Sequence, residues 1–144
     1  MKDDEELIGR MRSFNRFYTN VIGVVDRHIL DSPHSLTEAR VLYEISNTDD
    51  CSARKIRENV DIDEGYLSRI IGKFIKKELV KKSRSKNDRR TRIIILTEKG
   101  KKEFAKLDTD SSESVYKAVE KLSRKEREEL VGLMERIHEL LTKA

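Results

Sequence analysis

The sequence predicts a mainly α-helical protein carrying one small β-hairpin, and three observations lead there. Apolar residues recur at steps of three and four along most of the 144 residues, with Ser, Thr or Asp where each run begins. One Pro and six Gly favour long helices over a sandwich or barrel. Only between Leu79 and Thr97 does the period change, to two short extended runs around a polar turn.

The first helix is expected across LIGRMRSFNRFYTNVIGVVDRHIL. Leu7, Met11, Phe14, Tyr18, Val21 and Val25 form one stripe, and Ile8, Phe17, Ile22, Val24 and Ile29 widen it. Pro33 breaks the chain, and Ser35 with Glu38 forms a capping box for a second helix with Leu36, Ala39, Val41, Leu42 and Ile45 inward. Ser52 caps the short helix ARKIRENV, with Ile56 and Val60 inward. Asp61 and Glu64 read as another capping box, opening a helix from about Ile62 to Glu78. VKKSRS and RTRIIILT then pair around KNDR, with Ile93 and Ile95 facing the core. Thr97 caps a further helix through FAKLDTDSSESVYKAVEKL, weakened near Asp108 to Ser112. Ser123 and Glu126 box the last one, whose stripe is Leu130, Leu133 or Met134, Ile137, Leu140 and Leu141. The sum is a winged helix-turn-helix held between long terminal helices.

Composition narrows the function. At 36% hydrophobic and 40% charged residues, without Trp, the core of a compact monomer is thin, so a second copy is expected to complete it. The lone Cys51 excludes an internal disulfide, and together with the lack of a membrane-length apolar run or a signal peptide it favours a soluble cytoplasmic protein. The net charge of +4 is unevenly spread. Arg69 to Lys102 holds fourteen Lys and Arg against three acids, a net of +11, which leaves −7 for the remainder. A basic block on an acidic body is the footprint of a polyanion-binding surface.

Within that block, DEGYLSRIIGKFIKKE divides by angle. Leu67, Ile70, Ile71 and Phe74 face the core, while Gly65, Arg69, Gly72 and Lys76, flanked by Tyr66, Ser68 and Lys73, lie opposite. Glycine costs a helix interior about 1 kcal/mol relative to alanine. Two on an exposed face fit close approach to a phosphodiester backbone, with Arg69 reaching a base edge or phosphate. In the hairpin turn, Arg89 or Arg90 would enter a minor groove and Asp88 would hold the tip by pairing with an arginine. Arg84, Lys86 and Arg92, with Lys81 and Lys82, would add phosphate contacts.

The segment DRRTRIIILTEKG, Asp88 to Gly100, resembles the Asp-x-Arg-Ser/Thr wing and following Leu-Thr-x-x-Gly of the MarR family of winged-helix regulators. YLSRIIGKFIKKELV, Tyr66 to Val80, is similar to that family's recognition helix; Gly65, Gly72 and Glu78 are its less usual choices. RSFNRFYTNVIG with LDSPHSLTEARVLYEI resembles a branch often fused to a C-terminal N-acetyltransferase domain, and nothing in this sequence up to Ala144 reads as one. The resemblance implies one domain over 1–144: dimerisation helices at about 1–31 and 98–144, and a DNA-binding lobe at about 35–97. It further implies a homodimer on an inverted repeat in double-stranded DNA, and a repressor released by a small aromatic or anionic effector. By position, Arg16, Tyr18, His28, His34 and Tyr43 are the candidates to line such a pocket.

His28, His34 and His138 lack metal-ligand spacing, and no cofactor motif or catalytic constellation is present, so neither metal, cofactor nor enzymatic activity is expected. Cys51 lies beside a helix start, a place that lowers a thiol pKa, although redox-sensing relatives usually carry the cysteine in the first helix. The alternative to a regulator is a nonspecific nucleic-acid-binding or tethering module without effector response.

Overall fold

The computed structural model describes residues 2–23 and 32–143. Among them are α1 (Lys2–Val21), α2 (Leu36–Asn47), α3 (Ala53–Asn59), α4 (Glu64–Lys76), β1 (Val80–Arg84), β2 (Arg92–Leu96), α5 (Glu98–Val119) and α6 (Arg124–Leu141). The mainly helical class with one antiparallel hairpin is as expected.

The caps at Ser35, Ser52, Thr97 and Ser123 all form, and those at Ser35 and Ser123 are full capping boxes with Glu38 and Glu126. Three boundaries and the continuity of one helix differ from expectation. α1 ends at Val21 in a turn where Gly23 takes φ 74°, short of the expected Leu30; Val24, Val25, His28 and Ile29 lie outside the described residues. α4 is capped by Asp63, not Asp61, because the Asp63 carboxylate is the one that accepts from Tyr66 N, at 3.0 Å. α4 also stops at Lys76. Glu78 adopts φ 60°, its N–H donating to Ile75 O while Leu79 N donates to Phe74 O, a left-handed helix terminus usually made by glycine. α5 is continuous through Asp108 to Ser112, where a weakening was expected.

Among the described residues the buried core cluster runs from Val41 to Leu107. Val41, Leu42 and Ile45 of α2, Ile56 of α3 and Leu67, Ile70, Ile71 and Phe74 of α4 meet Leu79, Val80, Ile94 and Leu107. Leu36 stays exposed. The hairpin registers Val80 with Leu96 and Lys82 with Ile94, so Val80, Ile94 and Leu96 share the face turned to the lobe. That moves the anchor to Ile94 from the expected face of Ile93 and Ile95. Ile93 is buried outside this cluster, Ile95 is half-exposed, and Ile94 also donates its N–H to Cys51 O at 2.7 Å.

One junction fixes the wing and α5 relative to α4. Thr97 donates from N to Leu79 O and from Oγ1 to Glu78 O, and Lys99 Nζ donates to Lys77 O. Gly100 packs so tightly there that a Cβ would stand 1.9 Å from Leu79 O. By contrast α6 buries none of its residues, and the stripes of α1 and α6 stay open, with Met11 and Phe17 at 62% and Leu133 at 57% exposure.

Candidate nucleic-acid interface

α3 and α4, joined across Val60 to Asp63, form the helix-turn-helix, with Arg57 Nη1 bridging to Glu64 Oε2 at 3.0 Å across the turn. The four core residues of α4 are buried as expected. Gly65, Tyr66, Ser68, Arg69, Gly72, Lys73 and Lys76 are all exposed, as the angular reading requires. The Arg69 guanidinium lies 5.8 Å from the Tyr66 ring centroid, which steadies it without spending its charge. Gly72 faces open space.

The wing is built from its root. Ser85 is buried; its hydroxyl donates to Asp50 Oδ2 at 3.0 Å and accepts from Asn87 N and Asp88 N. Asn87 Nδ2 also donates to Asp50 Oδ2, and Asp50 itself sits at φ 47° in the α2–α3 turn. Asp88 does hold the tip, but through different partners than expected: Oδ1 accepts from Arg90 N and Oδ2 from Thr91 Oγ1, rather than from an arginine side chain. The polar groups of the turn are thus turned inward. Arg84, Lys86, Arg89, Arg90 and Arg92 are left exposed and, among the described residues, without ion pairs. Arg40, Arg54 and Arg124 each face a carboxylate four residues on, so the wing differs from an ordinary solvated charged face. The Asp50–Ser85 tie escaped the sequence reading. The S-x-N-D order at Ser85 signals a local hydroxyl-capped turn, but nothing in it points to residue 50.

Lys73 stands apart from the other α4 cations. Its Nζ is 3.0 Å from Glu38 Oε2, whose side chain is only 12% exposed. Burial alone would raise the Glu38 carboxyl, yet Lys73 and the Ser35 N–H together hold it below its ordinary range. Beside it, the buried His34 places Nε2 2.9 Å from Glu103 Oε2 and Nδ1 3.9 Å from Glu38 Oε2.

The expected effector residues do not converge. Arg16 is exposed on α1, Tyr18 stacks on Phe14 at 5.6 Å, and Tyr43 is exposed with its ring 6.4 Å from Phe104. His28 lies outside the described residues. Of the five, only His34 lines the cavity of about 540 Å³ that Ser32 and Pro33 form with Glu103, Lys106, Leu107, Asp110, Glu113, Ser114 and Lys117 of α5. Cys51 shows none of the pKa lowering that a helix start can give, in line with the redox role the sequence disfavoured. It is buried, and desolvation, with Glu44 nearby, pushes its thiol up to about 11, the opposite of an activated cysteine. No described helix is long and apolar enough to cross a membrane.

Comparison with known proteins agrees with this geometry. A model of the MarR family matches residues 35–91, from the α2 cap to the wing tip. The HTH-type transcriptional regulator BilQ of Clostridium symbiosum (strain WAL-14163) is 31% identical over 97 residues, which are 67% of this chain and 67% of that one. Streptococcus pneumoniae FabT, solved in complex with DNA, superimposes with a TM-score of 0.77 at 17% identity, covering 93% of this chain and 96% of FabT. Bordetella bronchiseptica BpsR, whose DNA binding is regulated by 6-hydroxynicotinic acid, gives 0.65 at 19% identity over 89% and 92%. These two likenesses are of fold. With the BilQ relationship and the family match over the helix-turn-helix and wing, the chain belongs to the MarR family of DNA-binding transcriptional regulators.

Proposed function

We propose that this protein is a sequence-reading dimeric repressor, acting in the cytoplasm and released from an inverted-repeat operator by a small molecule. The observation that carries the reading is the set of exposed cations, Arg69 and Lys76 on α4 and the basic residues of the wing, that make no ion pair among the described residues, with the wing's root tied down by Asp50 and Ser85. Arg69 and Lys76 belong in the major groove, with Tyr66, Ser68 and the glycines allowing close approach, and Arg89 or Arg90 in the adjacent minor groove. Arg84, Lys86 and Arg92 would hold the flanking phosphates.

Support for the dimer is the open stripe on each terminal helix: Leu7, Met11, Phe14 and Phe17 on α1, and Leu133, Ile137 and Leu140 on α6. Apolar surface of that extent fits burial against a second copy. Support for an effector is the cavity between the lead into α2 and the α5 helix, where His34 meets Glu103. An occupant there would act on both the lobe and a helix leading toward the expected dimer interface.

Selection of bound sequences from a random duplex pool tests the proposal. Enrichment of an inverted repeat with half-sites about one helical turn apart is expected. Arg90→Ala should then weaken binding by about 1–3 kcal/mol with the dimer intact, and Arg69→Ala should relax the preferred site. Salt-dependent binding without enrichment would instead establish a nonspecific nucleic-acid module.

A further inference from the structure

Lys73 lies on the exposed face of α4 between Arg69 and Lys76, yet among the described residues it alone of the three is held by a carboxylate. Glu38 reaches it from α2. One oxygen of Glu38, Oε1, accepts from Ser35 N and closes the capping box. The other, Oε2, is buried and makes no aligned hydrogen bond; the Lys73 ammonium at 3.0 Å is the positive charge that compensates it. His34 Nδ1, also buried and unpartnered, lies 3.9 Å from the same oxygen. The other ring nitrogen of His34 is already engaged by Glu103.

This arrangement makes Lys73 costly to move. Swinging the ammonium out to a phosphate would strand a buried carboxylate with no compensating charge, a larger loss than one solvent-exposed phosphate contact returns. Among the described residues no carboxylate competes for Arg69 or Lys76 in this way.

We infer that Glu38 withholds Lys73 from DNA, so that the recognition helix grips phosphate with one cation fewer than its sequence offers. Glu38 is thus a positioning residue: it fixes α4 against α2 and sets the number of charges α4 presents. The inference rests on the reading that α4 faces the duplex.

The test is the salt dependence of binding to a fluorescently labelled duplex, read as the slope of log Kobs against log salt. Glu38→Gln keeps an amide oxygen for Ser35 N while removing the charge. It should steepen the slope by about 0.9 for each protomer engaged and tighten binding at low salt. Lys73→Gln should leave the parent slope unchanged, and the double variant should return to it. A merely structural role for Glu38 would change the melting temperature but not the slope. A flatter slope in Lys73→Gln alone would show Lys73 already on phosphate and overturn the inference, as would an unchanged slope in Glu38→Gln. Lys73→Gln leaves the Glu38 carboxylate uncompensated, so where either single variant folds poorly the double variant, which strands no charge, decides: a slope flatter than the parent's would likewise overturn the inference. If the parent shows no salt-dependent binding, the functional reading falls and takes this inference with it.

Discussion

Gly100→Ala tests how the wing is held. The added Cβ would stand 1.9 Å from Leu79 O and 2.9 Å from Leu79 C, both backbone atoms that cannot rotate away. The start of α5 must therefore retreat from the α4–β1 junction by more than an ångström. That motion breaks the Thr97 N to Leu79 O bond of 3.0 Å and the Thr97 Oγ1 to Glu78 O bond of 2.6 Å. Two hydrogen bonds at about 1 kcal/mol each, with overpacking on the same scale, give a loss of about 2–4 kcal/mol. For a chain of this length that lowers the melting temperature by roughly 6–15 °C. Thermal unfolding at fixed protein concentration measures it, with Gly72→Ala as the internal control. Nothing lies within 4 Å of a Cβ at Gly72, so that helix position should gain up to about 1 kcal/mol. If Gly100→Ala melted within a degree of the parent while Gly72→Ala rose, the junction would be compliant and the account of a rigidly mounted wing wrong.

Two further outcomes are expected. Asp50→Ala removes the acceptor of the buried Ser85 hydroxyl and of Asn87, which should cost about 1–3 kcal/mol. It should also speed amide hydrogen exchange across residues 86–91, and unchanged exchange would show that the turn holds itself without Asp50. Cys51, with its thiol raised from 9.0 to about 11, should resist alkylation at neutral pH until the protein unfolds. Because the unfolded thiol ionises first, its contribution to stability is complete below pH 9.0 and declines as pH rises toward about 11; Cys51→Ala should lose that alkaline component.

What the sequence made legible was local. The caps at Ser35, Ser52, Thr97 and Ser123 depend on residues three positions apart, and the buried side of α4 depends on a period of 3.6. The hairpin faces were misassigned by one residue because three consecutive isoleucines carry no alternation to set the register. The end of α4 was misplaced because a glutamate occupies the left-handed position where glycine signals a stop. At the interface, residue types and exposure were readable, but the contacts that decide their roles were not. Asp50 meets Ser85 across 35 positions, and His34 meets Glu103 across 69. No periodicity reports such pairs.

Those distant contacts divide the labour of the wing. Ser85, Asn87 and Asp88 satisfy one another, Asp50 and the turn backbone, so the shape of the tip is set by groups that carry no positive charge. The cationic side chains of the arginines and Lys86 take no part in that shape, to which Arg90 lends only its backbone N–H, since no ion pair among the described residues engages them. Removing an arginine should therefore change affinity at constant stability, whereas removing Asp50 should change both. Lys73 breaks the pattern because its charge is committed to Glu38 and to the packing of α4 on α2. Exposure and sign of charge are thus insufficient to nominate a phosphate contact. The deciding property is whether a buried carboxylate already depends on the cation.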